Sequence, residues 1–122
     1  SFSSDDLNSI FMISSSEGYV VGNAGKVYYT ANGGTLWTSQ PSTVVSNLRS
    51  VYFVNSSNGW AWGDGGKILK SNGSTWTAQV SGSVNTLRSI CFMDANTGWA
   101  VGDSGTGLYT TNGGITWTAQ TI

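Results

Sequence analysis

Two arginines and two aspartates recur at one spacing in this chain. Arg49 precedes Asp64 by 15 residues, and Arg88 precedes Asp103 by 15. At the same offset a third place in the chain pairs Asn8 with Asn23. Both members change together, from charge pair to amide pair, so the two positions are expected to touch. A hairpin centred between Ser56 and Ser57 would set them directly opposite each other. The favoured reading is a structural ion pair, because opposite charges that change together satisfy each other. The second reading makes Arg49, Arg88, Asp64 and Asp103 candidate binding residues.

The rest of the reactive inventory is thin. The sequence has no histidine, so a Ser–His–Asp triad is excluded. Its acids are Asp5, Asp6, Glu17, Asp64, Asp94 and Asp103. Asp5 and Asp6 are neighbours near a terminus, Glu17 and Asp94 fall at turns, and no two suggest a glycosidase dyad. Cys91 is the single cysteine, with no Cys or His cluster around it for zinc. It replaces Phe11 and Tyr52 of equivalent segments, so it is expected to be a small buried strand residue. No catalytic residue, metal ligand or cofactor follows from these residues. The chain is read as not an enzyme.

Those residues sit on three copies of one segment. Leu7-Asn8-Ser9-Ile10 recurs as Leu48-Arg49-Ser50-Val51 and Leu87-Arg88-Ser89-Ile90. Gly18-Tyr19 recurs as Gly59-Trp60 and Gly98-Trp99, and Trp37-Thr38 as Trp76-Thr77 and Trp117-Thr118. Gln40, Gln79 and Gln120 each stand three residues past that last Trp. The steps between copies are 41 and 39 residues. A period near 40 made of short apolar runs and Gly-rich turns predicts four-stranded antiparallel propeller blades. Tight turns needing positive φ are expected at Asp64-Gly65-Gly66 and its equivalents. The blades would cover residues 1–41, 42–80 and 81–122, in one all-β unit. Charged residues make up only 9% of the chain against 39% hydrophobic, which suits a turn-dense β protein. The net charge of −1 leaves no basic stripe for nucleic acid, and no apolar run is long enough to span a membrane. The Ser/Thr/Asn-rich, Lys-poor composition hints at an extracytoplasmic setting.

Thr30-Ala31-Asn32-Gly33-Gly34-Thr35-Leu36-Trp37 and Thr110-Thr111-Asn112-Gly113-Gly114-Ile115-Thr116-Trp117 resemble the Asp box of bacterial neuraminidase repeats. Ser71-Asn72-Gly73-Ser74-Thr75-Trp76 is a shortened form. With Gly98-Trp99-Ala100-Val101-Gly102-Asp103-Ser104-Gly105 before it, the repeat is similar to those of the photosystem II assembly and stability factor family. The resemblance covers essentially the whole chain. It implies a β-propeller with the box turn on the outer part of each blade, where the box is a folding device. Asn32, Asn72 and Asn112 stand where the family motif has Asp, and each is expected to cap its turn through the side-chain oxygen. The box tryptophans Trp37, Trp76 and Trp117 are expected in the core. The resemblance also implies relatives that are larger, complete rings with an arginine-rich patch on one face.

Rings usually hold about four to eight blades, so three leave two blade faces open. Leu7, Ile10, Met12, Trp99 and Val101 are expected on those faces. Two chains would make a six-bladed homodimeric ring, with higher cyclic assemblies and an arc excised from a longer or engineered parent as alternatives. The expected function is a non-enzymatic, self-assembling scaffold or protein-binding propeller. The alternative is a carbohydrate-binding propeller. For that, Trp62 is the candidate platform, because the other copies have Val21 and Val101 at its position.

Overall fold

The computed structural model describes residues 6–120. Asp5 and the outer bounds of the first and last expected blades lie outside the described residues. Twelve strands form three four-stranded antiparallel sheets in chain order. The first holds β1 (Leu7–Met12), β2 (Gly18–Gly22), β3 (Val27–Thr30) and β4 (Thr38–Gln40). The second holds β5 (Leu48–Asn55), β6 (Asn58–Gly63), β7 (Ile68–Ser71) and β8 (Trp76–Gln79). The third holds β9 (Leu87–Phe92), β10 (Gly98–Gly102), β11 (Gly107–Thr110) and β12 (Thr118–Ala119).

Each sheet is a run of hairpins cut by turns that its own residues dictate. Between the second and third strands the chain takes a one-turn 3-10 segment with two successive left-handed residues. These are Ala24 and Gly25, Gly65 and Gly66, and Ser104 and Gly105, all with φ between 59° and 74°. The second of each pair is always glycine, and at two of the three the structure adds a reason beyond the positive φ. A Cβ on Gly25 would lie 2.0 Å from the Val44 carbonyl oxygen, and one on Gly66 would lie 2.0 Å from that of Ser83. The crossing linkers press onto these glycines. Buried Ser42 and Ser81 fasten them there, donating to the Gly25 oxygen at 2.6 Å and the Gly66 oxygen at 2.7 Å.

The core lies between sheets. Tyr19, Val21 and Val27 on the trailing face of the first sheet meet Leu48, Val51, Phe53, Leu69 and Trp76 on the leading face of the second. Trp60, Trp62 and Ile68 meet Leu87, Ile90, Phe92, Leu108 and Trp117 across the second joint. Each fully buried side chain of this size contributes about 1.5–3 kcal/mol. One aromatic stack centres each joint: Tyr19 on Phe53 at 4.3 Å, and Trp60 on Phe92 at 3.5 Å, both near parallel. A hydrogen bond closes the first joint, where Trp76 Nε1 donates to Gln40 Oε1 at 2.8 Å. The equivalent groups of the second joint, Trp117 Nε1 and Gln79 Oε1, are buried with no partner among the described residues.

The two outer faces are open. Leu48 and Leu87 are fully buried while Leu7 is 41% exposed, and Ile10 is 57% exposed where Val51 and Ile90 are buried. On the far side Trp99 and Val101 are 39% and 43% exposed. The five residues expected on open faces are therefore there. Two expectations are corrected. Cys91 is exposed, because its strand face looks outward from the third sheet and no other described sheet packs on it. Trp62 is only 3% exposed and packs in the second joint, where its larger ring fills space against the third sheet, so it offers no sugar-stacking surface. Trp76 and Trp117 are core, as expected. Trp37 is only part-buried, since it lies on the leading face of the first sheet in a groove with Leu7, Ile10 and Val20.

Candidate functional site

The innermost strands carry the same irregularity at the same place. Leu48 pairs with Gly63, yet Ser50 pairs with Trp62, which leaves Arg49 outside the ladder. The same step isolates Asn8 between Leu7 and Ser9, and Arg88 between Leu87 and Ser89. A bulge of this kind bends the strand and re-aims one side chain. It aims these three at the turn that follows the second strand. The hairpin register inferred from the sequence is corrected here: two register shifts interrupt β5 and β6, and the charged partners meet through the bulge rather than as ladder neighbours.

The contacts themselves are as the spacing implied. Arg49 donates from Nε to Asp64 Oδ1 at 2.8 Å and from Nη2 to Oδ2 at 3.3 Å. Arg88 makes the same two bonds to Asp103. Asn8 Nδ2 donates to Asn23 Oδ1 at 3.0 Å and also to the Leu48 carbonyl at 2.7 Å, across to the second sheet. Asn47 joins the row, accepting from Ala24 N–H at 3.0 Å and donating to Asp64 at 3.3 Å. The guanidinium of Arg49 holds the Asp64 carboxyl below its usual range, with a smaller pull from Arg88. Arg88 does the same to Asp103, assisted by Arg49. Both pairs are solvent-facing, so water and salt screen them and each contributes little to the stability of the fold. Each carboxylate engages two of the five N–H groups of its arginine.

The same end of the sheets carries more positive charge. Lys26 and Lys67 follow the left-handed turns directly, and both are exposed. The opposite end carries Glu17 and Asp94. Asp94 is lowered by the N–H groups of Asn96 and Thr97, and Glu17 accepts from the Tyr29 hydroxyl at 2.7 Å. That bond pushes the Tyr29 phenol up to about 12. Lys70, on the strand position of Tyr29, instead reaches Asn58 and the Trp60 ring.

The box turns cap themselves as the motif implies. Asn32 Oδ1 accepts from Leu36 N–H at 2.9 Å, Asn112 Oδ1 from Thr116 N–H at 3.0 Å, and Asn72 Oδ1 from Ser74 and Thr75 N–H at 2.9 Å. Buried Thr30, Ser71 and Thr110 supply the second acceptor of each turn. These residues build turns and bring no reactive group together. Among the described residues no His, Cys, Asp and Glu cluster could hold a metal. The bulges and the linker serines escaped sequence reasoning. The recurring Ser42 and Ser81, and the Gln three past each box Trp, were the signals available.

Comparison with known proteins agrees with this architecture. A solved structure described as YCF48 bound to D1 peptide matches with a TM-score of 0.81 at 21% identity, over 97% of this chain and 41% of that one. YCF48 from Cyanidioschyzon merolae matches with a TM-score of 0.83 at 23% identity, over 100% of this chain and 42% of that one. The chain spans about two fifths of the length of these structures. No curated protein matches it. The family model of the photosynthesis system II assembly factor YCF48 matches residues 3–72, which is more than half of the sequence, and the chain belongs to that family.

Proposed function

We propose that this chain forms part of a non-enzymatic propeller that binds an extended, acidic protein segment across the blade ends carrying Arg49 and Arg88. The observation that carries this is the row of bulge-aimed, solvent-facing arginines, with Lys26 and Lys67 beside it. A segment lying across several blades would meet N–H donors that the aspartates leave unused. The description of the matched YCF48 structure, bound to a D1 peptide, supports a peptide ligand for this architecture. A non-enzymatic role is supported by how the acids are used. Asp64 and Asp103 are paired with arginine, Asp94 caps its own turn, and Glu17 holds Tyr29.

The test is fluorescence anisotropy with a labelled acidic peptide and with a version whose acids are replaced by amides. Binding of the acidic form alone, lost in Arg49→Gln/Arg88→Gln and weakened by salt, is expected. Equal binding of both peptides, or an unaffected double variant, refutes the reading. The carbohydrate reading loses its platform with the burial of Trp62.

A second reading concerns the ring itself. The open faces of the first and third sheets carry the residue positions that are buried in both internal joints. A second copy of the chain would cover them and give a six-bladed ring. Sedimentation at micromolar concentration tests this, with twice the chain mass expected and a lone chain refuting it.

A further inference from the structure

Where the crossing linkers lie on the left-handed turns, each contact brings the same two kinds of side chain together. The Val44 carbonyl faces Gly25, and the Ser83 carbonyl faces Gly66. The next residues along the chain are Val45 and Lys26 at the first contact, and Val84 and Lys67 at the second. All four are exposed, and the two valines are 87% and 86% bare. A single exposed valine is ordinary. A valine set beside a lysine at the same place on two successive blade ends is a pattern.

At the second contact the pair borders a groove. Gly65, Lys67, Val80, Gly82 and Val84 line about 360 Å³ of open space between the turn and the linker. Val80 is 81% exposed. Gly82 adds no side chain to that space. It stands where the first linker has Thr43, both are left-handed, and nothing lies within 4 Å of its absent Cβ. The groove is continuous with the arginine row, because Gly65 follows Asp64, the partner of Arg49. It lies on a blade end between two sheets of this chain, so blades added beyond either outer face would leave it open.

The walls of the groove are chemically mixed. Val80 and Val84 offer apolar surface, while Lys67 offers positive charge with no ion pair among the described residues. A wholly acidic segment would meet Lys67 and leave the valines bare. A wholly apolar one would cover the ammonium without a partner for it. An apolar side chain flanked by acids answers both. We propose that the groove takes one apolar side chain of the bound segment, with acidic neighbours of that side chain on Lys67 and on the arginine row. This rests on the acidic-segment reading above and names the residue that fixes the segment's position along the blades.

Fluorescence anisotropy with two labelled peptides tests it: one with a leucine flanked by glutamates, and the same peptide with glycine in place of the leucine. The leucine peptide is expected to bind at least about tenfold more tightly. Val80→Ser/Val84→Ser changes two side chains that stand almost wholly in solvent. It is expected to erase the preference and to keep the binding of the glycine peptide. Arg49→Gln/Arg88→Gln is expected to weaken both peptides alike and to keep the preference. Equal binding of the two peptides by the native chain, with both weakened in the arginine variant, overturns the groove and spares the acidic-segment reading. A leucine preference that survives the valine substitutions also overturns the groove. Should the arginine variant bind both peptides as the native chain does, the acidic-segment reading falls and takes this proposal with it.

Discussion

Replacing Gly66 with alanine separates two costs that usually arrive together. Gly65 and Gly66 are both left-handed, at φ +69° and +74°. Alanine at either position carries the steric penalty of that region, about 1–2 kcal/mol, less about 0.4–1 kcal/mol returned by a stiffer unfolded chain. For Gly65 the account ends there, since nothing lies within 4 Å of its absent Cβ. Ala24 and Ser104 already occupy the equivalent sites of the other sheets. For Gly66 the new methyl meets the Ser83 carbonyl at 2.0 Å and must push the linker away. That movement breaks the Ser81 bond to the Gly66 carbonyl and uncovers a buried hydroxyl, a further cost of about 1–3 kcal/mol. Gly66→Ala is thus expected to lose about 1–4.6 kcal/mol, against about 0–1.6 kcal/mol for Gly65→Ala. Gly25→Ala, facing the Val44 carbonyl, should behave like Gly66→Ala. Gly105→Ala, with open space around it, should behave like Gly65→Ala. Urea unfolding followed by tryptophan fluorescence, at one fixed protein concentration, gives the four values. If Gly66→Ala costs no more than Gly65→Ala, the linker clamp is not what holds this glycine.

Removing the acceptor at the first joint with Gln40→Ala leaves Trp76 Nε1 buried and unpaired. A loss of about 1–3 kcal/mol is expected in urea unfolding, with Gln40→Glu largely sparing it. The Tyr29 phenol should ionise near 12 in an absorbance titration, and Glu17→Gln should move it back toward 10. Because its folded value is raised, this contact's stabilisation is present below 10 and disappears between 10 and 12. Arg49→Ala should cost at most about 1 kcal/mol at neutral pH. The Asp64 value is depressed, so that contribution holds above the ordinary aspartate range and fades as pH falls through it. A cost of 3 kcal/mol or more would mean that the pair is structural to a degree its exposure does not allow.

Much of the architecture could be read from the chain because it is repeated. Three copies of Leu-x-Ser, Gly-aromatic and Asn-Gly…Trp mark the strands and turns, since turn chemistry is local and a register slip would turn every side chain to the wrong face. The 15-residue spacing of Arg49 with Asp64 and Arg88 with Asp103 also gave the true partners. What it could not give was the route by which they meet. The bulge leaves only a three-residue step between the buried Leu48 and Val51 in a two-residue alternation, and that step does not say where Arg49 is aimed.

Burial was decided by neighbours, not by residue type. Trp62 stood out as irregular and proved to be core, because the sheet beside it has room for a larger ring. Cys91 occupies a strand position equivalent to Phe11 and Tyr52 and is nonetheless exposed, because among the described residues no sheet packs on that face. The sequence by itself determined the repeat, the left-handed turns and the pairing of opposite charges, all of which depend on short spacings along the chain. Only the tertiary structure decided which aromatics are covered and how the arginines are aimed, because both depend on which sheet lies alongside, and a blade carries no local record of its neighbour.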